Sequence, residues 1–186
     1  LTISVLGLFS CEKDQSLDPR PVQVSGQYMR LDITSKVMKT KNGSGSNNFT
    51  DQEIQDSYFG GLLTDPSGKI AEYNIYVKRR DGYGVGGEFK FLKKITTFPT
   101  ELKISQADIA GALGLSTSDL LFGDEYYFYG EAFDASGKRY DFYSLSSTVQ
   151  TAPGMKQAFR YRTTSVLKSF FDTAANYAEY DNYVNP

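Results

Sequence analysis

Among the rings that crowd one stretch of this chain, five could share one surface: Tyr127, Tyr129, Phe133, Tyr140 and Tyr143. Side chains two apart on a strand leave the same face, so Tyr127, Tyr129 and Phe133 would stand in a row. A hairpin partner carrying Tyr140 and Tyr143 would widen it. Such a row is a platform on which the C–H face of a sugar stacks, with tyrosine hydroxyls as hydrogen-bond partners. The same rings serve equally as cross-strand pairs, or as a surface packed under an N-terminal strand or a C-terminal helix.

Other chemistry is thinly supplied. The 186 residues include no His, which removes the commonest general base and metal ligand. One Cys rules out an intrachain disulfide and a thiolate zinc site. Pairs suited to glycoside hydrolysis can be drawn from any chain with 22 carboxylates, and only their separation in space would distinguish them. Asp134, Ser136 and Asp141, like Asp65 and Ser67, have the oxygens that calcium wants, but Asp-x-Ser-Gly is ordinary turn chemistry. Gly82–Gly87 lacks the Lys and helix start of a phosphate loop and reads as a reversal, and Lys78, Arg79 and Arg80 read as a solvated strand end. A net charge of −2 with mixed signs gives no footprint for nucleic acid. The expectation is a non-enzymatic protein without cofactor or metal.

The elements that must position the rings are strands. Around Asp134-Ala-Ser-Gly137, residues 123–144 read as a hairpin, with Tyr126, Phe128, Gly130 and Ala132 inward. Upstream, residues 27–34 alternate around Met29, Leu31 and Ile33, and residues 57–64 form a strand weakened or bulged at Gly60-Gly61. Asp65-Pro-Ser-Gly68 suits a type I turn before a strand whose core face is Ala71, Tyr73, Ile75 and Val77. Residues 88–96, 101–104 and 158–165 add further strands, and residues 51–56 are either a helical turn or loop. Ser105 with Asp108 opens a short helix that Gly114 closes. From Val166 to Ala178 an apolar helical face returns, either a terminal helix or the start of a further segment. These short, turn-punctuated segments predict an all-β antiparallel sandwich with one short helix.

Leu121-Phe-Gly-Asp-Glu-Tyr-Tyr-Phe-Tyr-Gly-Glu-Ala-Phe-Asp-Ala-Ser-Gly137 resembles the penultimate strand of fibronectin type III and related immunoglobulin-like modules. The resemblance makes Tyr126 the corner tyrosine whose hydroxyl bonds back to nearby backbone. The family's core Trp is missing. Residues 57–165 also resemble lipoproteins encoded near starch-utilisation-like transporters, which implies surface display and glycan capture but no catalytic residues.

At the N-terminus an apolar run ends in Leu8-Phe9-Ser10-Cys11, which resembles the lipobox of bacterial lipoproteins. That resemblance implies cleavage before Cys11 and its acylation; a free thiol in a buried first strand is the other reading. Residues 12–26 follow as a charged, proline-stiffened tether, residues 27–165 as the sandwich and residues 166–186 as the terminal piece. The expected location is an outer membrane, lipid-anchored and facing outward. The candidate partners are the membrane itself, a glycan and an outer-membrane protein.

Overall fold

The structure, a computed structural model, describes residues 27–41 and 48–168. Cys11, the tether and the proposed helical face beyond Lys168 lie outside the described residues.

Among the described residues nine strands form two sheets. The first has the order β1-β3-β6, all antiparallel, from Arg30–Ser35 (β1), Tyr58–Thr64 (β3) and Thr100–Ser105 (β6). The second runs β2-β9-β7-β4-β5, from Met38–Lys39 (β2), Arg160–Val166 (β9), Glu125–Asp134 (β7), Ile70–Arg80 (β4) and Lys90–Ile95 (β5). Arg139–Tyr140 (β8) closes the hairpin on β7. Its pairings are antiparallel except β2 with β9, which is parallel. Three helices, Asp51–Gln55 (α1), Gln106–Leu113 (α2) and Ser147–Thr151 (α3), lie in the connections. None among the described residues is long and apolar enough to cross a membrane.

One core joins the sheets. Leu31, Phe59, Leu63 and Ile104 of the first share a buried cluster with Tyr73, Ile75, Val77 and Phe128 of the second. Phe59 stacks on Phe128 at 5.2 Å and on Tyr161 at 5.4 Å, so a column of rings crosses the interface. Tyr73 is fully buried and donates its hydroxyl to the Ala158 carbonyl. Gly130 makes room for it: a Cβ there would stand 2.7 Å from the Tyr73 ring. Tyr126, Phe128, Gly130 and Ala132 all face inward as the alternation predicts.

The caps follow the sequence closely. Ser105 and Asp108 form a reciprocal capping box, and Gly114 ends α2 in the left-handed region at φ 70°. Thr50 and Glu53 do the same for α1, which settles the 51–56 segment as helix.

Two details depart from expectation. Gly60 and Gly61 carry no bulge. The register shift falls on the partner β1 between Ile33 and Ser35, because the glycines let the neighbouring backbones come so close that a Cβ at either would overlap them. Ala71 is exposed and Ile70 buried, since a bulge between Ile70 and Glu72 shifts the phase of β4 before Tyr73 restores it.

Candidate functional site

Register alone assembles the outer face of the second sheet. Lys78 of β4 pairs with Tyr127 of β7, which pairs with Arg162 of β9. Two residues along, Tyr76 pairs with Tyr129, which pairs with Arg160. Residues opposite one another stand about 5 Å apart, and rows repeat about 7 Å along each strand. The result is a lattice of rings with cations between and beside them.

Phe91 of β5 and Phe89 just before it extend the aromatic surface. Tyr76 meets Phe91 edge-on at 5.8 Å, and Phe89 lies 5.9 Å from Tyr129. Lys78 sits 5.0 Å over Phe89 and 5.4 Å over Tyr127. On the other side Arg160 stacks over Phe142 at 4.3 Å and Tyr143 at 5.0 Å, and donates to the Tyr143 hydroxyl at 2.6 Å. Cations above ring faces gain electrostatically and hold the rings in place.

Carboxylates at the rim fix the tyrosine hydroxyls. Tyr127 donates to Glu125 at 2.9 Å and Tyr76 to Glu131 at 3.2 Å, while the Tyr129 hydroxyl lies against Asp141. Partial burial, followed by the Asp141 charge, pushes the Tyr129 phenol up to about 12. Each of these carboxylates also faces an arginine: Glu125 meets Arg80 at 3.4 Å, and Arg139 bridges Glu131 and Asp141 at 3.0 Å each. The hydroxyls are therefore engaged, and what these three tyrosines offer outward is ring face.

The predicted row is only partly brought together. Tyr127 and Tyr129 are half-buried neighbours on the outer face. Tyr143 is 72% exposed and joins them through Arg160, but it sits on a 3-10 turn, Phe142–Ser144, rather than on a strand. Asp141 imposes that turn by accepting from the Tyr143 and Ser144 amides at 3.0 Å. Phe133 shares the face but stands beyond Glu131, between Glu72 and Arg139. Tyr140 is not on this face: it pairs with Ala132 and is buried in the core, its hydroxyl on Asp134 at 3.0 Å.

Tyr126 is fully buried at the corner, yet its hydroxyl does not reach backbone. It accepts from Ser165 at 3.1 Å and meets Asp124 at 3.5 Å. The upstream bond belongs to Asp124, whose carboxylate accepts from the Leu121 amide at 2.7 Å. Arg79 neutralises that buried carboxylate through Nε and Nη2 at 2.8 and 3.0 Å. Lys78 and Arg79 are thus not a solvated strand end; only Arg80 is exposed.

The calcium-like oxygens are turn oxygens. Asp134 accepts from Ser136, Lys138 and Tyr140, and Asp65 from Ser67 and Ile70. Among the described residues no group of three or more such side chains gathers around a metal-sized space.

A groove of about 780 Å³ opens beside β9, its lining shared by Tyr127, Phe89 and Ala152–Pro153 after α3. Its floor reaches Phe59 and Tyr161 of the core column. Phe89, Arg160 and Arg162 were not singled out by sequence, and their signal was present only as alternation within strands whose register sequence leaves open. No family model, curated protein or solved structure matches the chain.

Proposed function

We propose that the protein is a non-enzymatic, lipid-anchored surface module that binds glycan on the outer face of its larger sheet. The carrying observation is that Tyr129 and Tyr143 are joined through Arg160, with Tyr127 next along β7 opposite Arg162 and a groove beside them. Rings held by cations and rim carboxylates lose little freedom on binding, and sugar C–H faces stack on such rings. No carboxylate lines the groove among its described residues, which favours binding over glycoside hydrolysis.

The finer fold we assign is an immunoglobulin-like, fibronectin type III-like sandwich. Three strands ordered β1-β3-β6 against β9-β7-β4-β5 support it, as does Tyr73, a buried ring on β4 where such modules carry Trp. Cys11 would carry the acyl anchor that holds the module on an outer membrane.

The test is binding of the whole chain to a glycan array. A binder is expected whose affinity falls about tenfold in Tyr129→Ala and in Tyr143→Ala, with folding retained, since a stacked ring contributes about 1–1.5 kcal/mol. An array with no binder ends the reading. A second reading, a protein-interaction module, rests on exposed Phe91 on β5 and on exposed Tyr83 and Val85 in the connection before it. Lys90, Lys93 and Lys94 on that strand oppose open-ended pairing.

A further inference from the structure

Resting on the glycan-binding reading, we infer that the ligand of this face is an anionic glycan, one bearing carboxylate or sulfate groups along its length. The charge of the groove is one-sided. Lys36, Lys78, Lys156, Arg160 and Arg162 line it, and among its described lining residues there is no Asp or Glu. This occurs in a chain whose net charge is −2, so the cations are concentrated here rather than drawn from a basic surplus.

The cations are not equally available. Lys156 is matched by Asp32 at 2.6 Å, and Asp32 is shared with Arg30 at 2.9 Å. Three others have no carboxylate partner in any ion pair among the described residues: Lys78, held over two rings; Arg160, held over two more; and Arg162, exposed on β9. The rim carboxylates Glu125, Glu131 and Asp141 are each met by arginine and do not cancel them.

Geometry turns these charges into a polymer site. Arg160 and Arg162 leave one face two residues apart on β9, so their side chains start about 7 Å apart along the strand. Tyr129 and Tyr127 stand opposite them in register. A sugar laid on each ring would put an equatorial acid group toward the arginine beside it. Arginine forks match carboxylate and sulfate alike, so both are the same chemistry to this site. A neutral sugar would leave those cations unused, and an acidic peptide would leave the rings unused.

The test measures binding of the whole chain to dextran sulfate, polygalacturonate, neutral dextran and poly-glutamate. Either charged polysaccharide should bind at least about tenfold more tightly than neutral dextran, and which one does so identifies the acid group. Affinity should fall as salt rises. Arg162→Gln should lower it about tenfold without changing thermal stability, as loss of one charge-assisted bond does. Lys78→Gln should act in the same direction. If neutral glycans bind as tightly, if poly-glutamate matches the charged polysaccharides, or if both substitutions leave affinity unchanged, the anionic inference falls while glycan binding stands. If an array of charged and neutral glycans yields no binder at all, the parent reading falls with it.

Discussion

Asp134 carries a whole turn on one carboxylate. Its Oδ1 accepts from the Ser136 amide, the Ser136 hydroxyl and the Lys138 amide at 2.9, 2.6 and 3.1 Å, and its Oδ2 from Tyr140. Those bonds, the Ser136 hydroxyl's first, lower its pKa to about 2. An unfolded Asp titrates near 3.9, so the folded state holds fewer protons than the unfolded state between these values. The stabilisation is complete above about pH 4 and is lost as pH falls through about 2. Asp32, likewise near 2 under the hydrogen bonds of Arg30 and Lys156, adds to the same acid limb. Asp134→Asn is expected to be less stable at neutral pH and to lose less on acidification. Urea midpoints measured from pH 6 to pH 2 check this; parallel curves for the two proteins would refute it.

At the scale of elements, β3 is decided by what it lacks. A Cβ at Gly60 would overlap the Leu102 carbonyl of β6, and one at Gly61 the Asp32 carbonyl of β1. Both clashes are with backbone in the strands on either side, so no side-chain rotation relieves them. Gly60→Ala is therefore expected to destabilise by more than about 2 kcal/mol, beyond the range of an ordinary surface change, whereas Gly68→Ala, open in space but at φ 65°, should cost about 1 kcal/mol. Thermal unfolding of the two variants separates the cases, and equal losses would contradict the close-approach account. The sequence made the glycines visible and even suggested a bulge, but on the wrong strand. Alternation is a local property, so Tyr126 through Ala132 and the Ser105–Gly114 helix could be read directly. Bulges, register and partner choice are not local. Ala71 leaves the core because of how β4 meets β7, Tyr140 turns inward opposite Ala132, and Tyr143 moves off the strand at a cap made by Asp141. The proposed binding face was half-legible for the same reason: its tyrosines share one strand, while its arginines needed the register of another. A two-residue strand such as β2 leaves no periodic signal at all.

For the molecule as a whole, the proposed reading requires that the sheet face reach a polymer from the proposed anchor. The described body begins at residue 27, and β1 enters beside the groove: Ala158 donates to the Met29 carbonyl at 2.8 Å, and Arg30 bridges to Gln157, itself a groove residue. If Cys11 carries the proposed anchor, residues 12–26 fully extended would reach about 50–54 Å, which bounds how far residue 27 can stand from it. A single acyl chain gives only marginal membrane binding, so firm attachment requires several chains at one residue, each buried methylene contributing about 0.8 kcal/mol. In the proposed anchor, all of that energy would pass through the Cys11 sulfur and its amino group. Cys11→Ser, expressed in a diderm host, should therefore shift the protein from the membrane fraction to the soluble periplasmic fraction. Its thermal unfolding should stay unchanged, because Phe59, Phe128 and Tyr73 pack against one another and their neighbours within the described body. Protein that remained with the membrane after the substitution, or a mature wild-type mass still containing residues 1–10, would remove the anchor while leaving the sheet face and its ligand chemistry intact.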